Sequence, residues 1–257
     1  FHGRTLNTLS ITDKEKYRKP FRPLMPGAKV IEYGDIEDLK KNITKNTGAV
    51  FTELIQGESG VVFPRETFEE SKEYFKEVRE ICEDNDVLMA VDEVQTGAGR
   101  TGSFFACEQF KVRPDIISTA KGIAGGFPVG ATLIQEDIAE CMNYGDHGST
   151  FGGGPLACAA GIATIQTILD EKLMDNAKNV GEYMLDKIEF GEARGLGLMI
   201  GIEMGEKEKA ESIMLKARKE GILVNVTGNS IIRMLPPLTL SKEQANNALE
   251  ILEEAAK

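Results

Sequence analysis

Two short apolar runs, AVFTELI (49–55) and VLMAVDEV (87–94), held apart by one amphipathic stretch, constrain this chain more than any other feature. Both runs are partly β-branched and bounded by turn-forming residues, which is how strands read. Between them, Phe68, Phe75, Val78, Ile81 and Cys82 recur at helical spacing within 67–85. That spacing predicts a helix with one buried face. Strand, helix and strand in this order predict a βαβ crossover and parallel neighbours. DIISTA (115–120) and VGATLI (129–134) predict two further strands. The expectation is an α/β fold, a mostly parallel sheet with helices on both faces.

Past about residue 155 the texture changes. Leu156 to Leu169 is apolar and alanine-rich, which predicts a buried helix, and Cys158 within it reads as a buried small residue. Asn176 to Phe190 carries Ala177, Val180, Met184 and Ile188 on one helical face. GLGLMIGIEM (195–204) reads as one strand, Glu206 to Glu220 as a helix stopped by Gly221, and ILVNV and IIRMLPP as further strands. Ser241 and Gln244 form a capping-box pattern that opens a last helix. The division expected is a large domain over 1–175 and a smaller C-terminal α+β domain over 176–257.

A hydrophobic content of 41% excludes a disordered chain. The net charge of −11, with no basic tract, argues against nucleic acid or an anionic membrane as partner. No apolar run is long enough to span a bilayer. Four cysteines without a C-x-x-C pair point to a reducing compartment, so a cytoplasmic location is expected. With only His2 and His147, neither a histidine-rich metal site nor a Ser-His-Asp hydrolase is easily built, and no metal is expected.

AVDEVQTGAGRTG (90–102) can be read two ways. Gly97, Gly99 and Gly102 spell G-x-G-x-x-G after a strand, the pattern of a dinucleotide turn. Yet DEVQT intervenes before the first glycine, and the next strand ends in Lys121 rather than in an acid. The second reading starts from Asp92 and Lys121, each at the C-terminal end of an expected parallel strand, the edge where open α/β sheets hold ligands. A partly desolvated lysine favours the neutral amine, which forms a Schiff base with an aldehyde. A carboxylate in the same crevice can pair with a pyridinium nitrogen. Lysine plus aspartate is the protein's share of pyridoxal phosphate chemistry.

FHGRT (1–5), ELIQGESG (53–60), DEVQTGAGRTG (92–102), PDIISTAKGIAGGFPVGA (114–131), HGSTFGGGPLACAA (147–160), ARGLGLMIGIE (193–203) and IIRMLPPL (231–238) together resemble the class III pyridoxal-phosphate aminotransferases. The resemblance covers nearly the whole chain in order, and the run from DEVQTG to AKG is its most specific part. It implies the type I fold of pyridoxal-phosphate transferases and pyridoxal 5'-phosphate as cofactor. Lys121 would hold the cofactor and then shuttle the proton, and Asp92 would keep the pyridine nitrogen protonated. Gln95 would bond the ring's phenolic oxygen and Phe1 would stack on its face, with Glu93 and Val94 as neighbours and Glu53 as support. Thr150 would reach the phosphate in the partner's site of a homodimer, and Ser149 would lie beside the substrate. Arg4 and Arg233 would grip substrate carboxylates, with Glu58 gating Arg233.

The reaction implied is transfer of the distal amino group of N-acetylornithine to 2-oxoglutarate by a ping-pong route, in arginine or lysine biosynthesis. Ornithine, 4-aminobutyrate or a carrier-linked lysine are alternative donors. A nicotinamide-dependent oxidoreductase using Gly97 to Gly102, or a non-catalytic remnant, remain as other classes. Leu54 and Gly154 depart from the family's usual Pro and Asn. Members of the class carry a segment before FHGRT that contributes to the phosphate site. The chain as given is therefore expected to bind cofactor poorly and turn over little.

Overall fold

The computed structural model describes residues 1–257. Two short helices, α1 (Leu6–Ile11) and α2 (Glu15–Arg18), precede α3 (Ile36–Asn42) and strand β1 (Ala49–Thr52). Helix α4 (Phe68–Asp84) then leads into β2 (Leu88–Asp92). Thr67 caps α4 by accepting from the Glu70 amide, while Glu70 reaches back to the Thr67 amide. That reciprocal pair satisfies amides the first turn leaves unpartnered. Tyr74, Phe75, Val78, Ile81 and Cys82 turn its apolar face into the core.

The chain continues through α5 (Ala106–Phe110), β3 (Ile116–Thr119), β4 (Ala131–Ile134) and α6 (Glu136–Ala139). The first sheet runs β1-β2-β3-β4. β1, β2 and β3 are parallel, with Ala49 opposite Leu88 and Asp92 opposite Ser118. β4 returns antiparallel on the edge. Mostly parallel strands end together on one side, so Asp92 and the segment after Thr119 emerge along a single sheet edge.

Helices α7 (Pro155–Asp170) and α8 (Leu173–Lys187) follow, then β5 (Glu192–Leu196), β6 (Met199–Glu203), α9 (Lys207–Lys219), β7 (Asn225–Thr227), β8 (Ile231–Met234) and α10 (Lys242–Ala256). The second sheet is antiparallel in the order β5-β6-β8-β7. Its core joins Val180 and Met184 of α8, Ile213 of α9, Ile200 and Ile232 of the strands, and Leu249 and Leu252 of α10. Another core gathers α4 and its sheet around Phe75, Val78, Met89 and Phe110. No helix is long and apolar enough to cross a membrane.

Three expectations fail. The stretch 195–204 is a hairpin rather than one strand, because Gly197, at φ +56°, turns the chain between β5 and β6. Helix α7 is not buried: Leu156 is 68% exposed and Ile162 63%, while only Ala157 and Ile168 are covered. Its composition suits burial, but within this chain it is packed mainly against the turn after β3 and against α8. Cys158 on the same helix is exposed.

The second sheet is tied to the loops beside the first by arginine side chains on backbone carbonyls and by close backbone approach. Arg194 on β5 donates to the Val61 and Gly60 carbonyls at 2.8 and 2.9 Å. Arg100 donates to the Leu198 carbonyl at 3.1 Å and to that of Pro236, and the Leu198 amide donates to the Arg100 carbonyl at 3.0 Å. A Cβ on Gly181 would stand 2.0 Å from the Gly197 carbonyl oxygen, so only glycine admits this crossing of α8 over the hairpin.

Candidate active site

Asp92 ends β2 and is 6% exposed. Its Oδ1 accepts from the Val94 amide at 3.0 Å, and its Oδ2 meets His2 Nδ1 at 2.8 Å. The His2 ring is wedged edge-on against Phe51 at 4.6 Å, and its backbone amide donates to Thr12 Oγ1. The carboxylate is therefore held at both oxygens, each of which keeps a further lone pair. Sequence reasoning missed His2. The signal available was its place beside Phe1 in FHGRT, but nothing in the sequence pairs it with a residue ninety positions on.

Lys121 opens a single 3-10 turn after β3, at φ +49°. Lys121 is exposed at the open end of the sheet, yet partial desolvation of its amine is the largest influence and holds the pKa below 10.5, while the charges of Asp92, Glu58 and Glu53 oppose that shift and Arg233 reinforces it. Asp92 and the segment that carries Lys121 leave adjoining parallel strands at the same sheet edge, within range of one another's charge. A cavity of about 590 Å³ reaches Lys121, Val94 and Gln95 from the side of α7.

Glu53 is buried and accepts from the Gly57 amide at 3.1 Å. The Gly57 backbone passes against the Gln95 amide so closely that a Cβ there would lie 2.4 Å from it. Arg233, at the middle of β8, comes from the second sheet. Its Nη1 donates to Gly57 O at 2.7 Å, and to Glu58 Oε1 and Gln95 Oε1 at 3.3 Å each. Its buried Nε has no partner. The Glu58 carbonyl is fixed by Lys14 Nζ and by Thr227 Oγ1. One Arg233 therefore touches both the Glu58 carboxylate and the Gln95 amide.

Phe1 and Arg4 flank His2 in the N-terminal segment, and the Phe1 amine donates to Glu53 Oε2 at 3.2 Å. The Phe1 ring meets Tyr17 edge-on at 5.8 Å, and the Arg4 guanidinium lies 4.3 Å over the Tyr17 ring. The remaining residues are placed differently. Glu93 points away from the crevice: its carboxylate takes the amides of Ala106 and Cys107 and the Thr96 hydroxyl, closing the loop into α5. Burial raises its pKa, and those hydrogen bonds oppose the rise. Ser149 and Thr150 sit on an exposed loop, where Ser149 Oγ accepts from the Gly152 amide, and the structure brings neither to the crevice.

Gly97 to Gly102 do not form a dinucleotide turn. The next helix begins at Ala106, and the glycines serve close packing: Gly99 against Met174 and Leu238, Gly102 against Lys178. The loop is a spacer behind Asp92 and a seat for the second sheet.

A carboxylate and an amine at adjoining strand ends, an amide beside them and an arginine from a second sheet match the aminotransferases. Residues 1–256 fit the family model Aminotransferase class-III, and the chain belongs to that family. The acetylornithine aminotransferase of Methanothermobacter thermautotrophicus is 44% identical over 98% of this chain, which covers 65% of that protein. Among solved structures, the ornithine aminotransferase of Toxoplasma gondii, with pyridoxal phosphate at partial occupancy in its active site, superposes at a TM-score of 0.89. It is 32% identical over 99% of this chain and 61% of its own. The acetylornithine aminotransferase of Elizabethkingia anophelis superposes at 0.80, 36% identical over 90% of this chain and 63% of its own. The chain thus spans just under two thirds of the length of these relatives.

Proposed function

We propose that the chain carries the reaction centre of a pyridoxal-phosphate-dependent aminotransferase that moves the distal amino group of N-acetylornithine to 2-oxoglutarate. The carrying observation is the pair of Asp92, held at both oxygens, and Lys121, an amine pushed toward its neutral form just past the end of the adjoining parallel strand. The residues present fit the cofactor. Asp92 keeps lone pairs for a protonated ring nitrogen, Lys121 offers an amine to an aldehyde, and Gln95 offers an amide to a phenolic oxygen. Bound there, pyridoxal phosphate supplies the electron sink and the carbonyl through which an amino group passes from one substrate to the next.

The chain's own residues supply the rest. Asp92 would hold the proton on the ring nitrogen, where it would strengthen the sink. Lys121 Nζ, neutral at lower pH than an ordinary lysine, takes a proton from the substrate carbon and returns it elsewhere. Phe1 and Val94 would help hold the cofactor ring. Arg4 takes the donor's carboxylate. Glu58 satisfies Arg233 while the donor, reacting at its distal amine, leaves that arginine free; 2-oxoglutarate then displaces Glu58. A homodimer in which Thr150 reaches the partner's phosphate accounts for an exposed Thr150 and an exposed apolar α7. The small domain, 176–257, contributes Arg233.

The test is a borohydride trap. The purified protein is incubated with pyridoxal phosphate, reduced, and digested for mass spectrometry. A phosphopyridoxyl group on Lys121, abolished in Lys121→Met, is expected. Labelling scattered over surface lysines both in this chain and in one joined to a relative's segment before FHGRT overturns the reading.

A further inference from the structure

The guanidinium of Arg4 is stacked yet uncommitted. It lies 4.3 Å from the centre of the Tyr17 ring and 5.8 Å from that of Phe1. It makes no ion pair: Glu15, the one acid on α2, is taken by Arg18 and Arg22. A second cation, Lys16 Nζ, stands 4.8 Å from the same ring. The backbone of Arg4 is fixed by the Gly3 turn at φ +125° on one side and by the mutual Thr5–Thr8 hydrogen bonds on the other. Its side chain is exposed and would otherwise lose rotamer freedom on binding any ligand. A ring against the guanidinium face restricts that freedom and leaves the N–H edges open, the edges that take a carboxylate in bidentate fashion.

We propose that Tyr17 is a positioning residue for substrate recognition: its ring presets the Arg4 guanidinium to receive the carboxylate of the amino donor. The inference rests on the reading of Arg4 as the donor's carboxylate grip. The Tyr17 ring, through its edge contact with Phe1, also sets the carboxylate site at a fixed offset from the cofactor platform. The phenolic hydroxyl makes no hydrogen bond within the protein, so the ring alone carries the effect.

N-acetylnorvaline, which is N-acetylornithine without its distal amine, probes this contact without reaction. Its dissociation constant is measured by calorimetry on the cofactor-loaded protein and on Arg4→Ala, Tyr17→Leu and Tyr17→Phe, with Lys121 trapping run in parallel. Arg4→Ala is expected to weaken binding by about tenfold or more and Tyr17→Leu by about fivefold. Tyr17→Phe should restore binding to within about twofold of the parent, with trapping at Lys121 unchanged throughout. Tyr17→Met serves the same comparison if the leucine variant does not fold. Unchanged binding in Arg4→Ala removes the grip itself and the inference with it. Weakened binding in Arg4→Ala with none in Tyr17→Leu removes the inference alone. Equal losses in Tyr17→Phe and Tyr17→Leu, or lost trapping in Tyr17→Leu, overturn a ring-specific positioning role.

Discussion

Glu58→Gln isolates the charge that Arg233 holds in reserve. The carboxylate lies 3.3 Å from Arg233 Nη1, and its side chain is 32% exposed against 8% for the arginine. At an effective dielectric near 20, charges at that separation attract by about 5 kcal/mol. Water and salt reach a carboxylate this exposed and reduce the net worth of the pair to about 1 kcal/mol. Glutamine keeps the shape and an acceptor, and Arg233 keeps Gly57 O and Gln95 Oε1, so the fold should stand. An incoming dicarboxylate no longer has to displace a charge. The dissociation constant of 2-oxoglutarate, measured by calorimetry, should fall about fivefold. The same substitution removes one of the charges that raise the Lys121 pKa, so the pH midpoint of borohydride trapping should move down. Unchanged or weaker 2-oxoglutarate binding, with an unchanged circular dichroism spectrum, would refute the gating role of Glu58.

Trapping at Lys121 in the parent protein should rise with pH to a midpoint below 10.5, since partial desolvation favours the neutral amine; a midpoint at or above that value contradicts this reading. The folded state binds fewer protons at Lys121 than the unfolded chain between its lowered pKa and 10.5, so the associated cost to stability is full below that window and vanishes as pH rises through it. His2→Leu leaves Asp92 Oδ2 without its partner and should cost about 2 kcal/mol in urea unfolding; a loss below about 0.5 kcal/mol would mean the contact carries nothing beyond ordinary surface variation. Gly181→Ala drives a methyl into the Gly197 carbonyl from a helix held by the second core and should cost about 3 kcal/mol or more by the same assay.

Much of this was legible in the sequence because local signals and tertiary outcome agree. Apolar spacing placed α4, and Ser241 with Gln244 placed the start of α10. Asp92 and Lys121 could be paired because parallel strands must end on the same edge. Glu93 illustrates a signal present but unused: side chains alternate along a strand, so the neighbour of an inward Asp92 faces elsewhere. The exposure of α7 was not legible, since composition states what a helix can bury against and not whether a partner is there. The hairpin at Gly197 was hidden by apolar residues on both sides of the turn. The roles of His2 and Tyr17 depend on contacts between distant or turn-separated residues, which periodicity does not encode.

Arg233 is delivered by the middle of an antiparallel sheet, whereas Asp92 and Lys121 are delivered by the edge of a parallel one, and the two meet only through Gly57, Glu58 and Gln95. On the function proposed above, recognition of the second acid and activation of the cofactor would come from separate elements. Substitutions in 199–234 that keep the Arg233 charge, which also acts on Lys121, would retune which acid is accepted while leaving the lysine in place. Changes along the strand ends can alter amine chemistry while leaving acid recognition in place. On that reading, a scaffold wired this way would let substrates be exchanged while the chemistry stays constant.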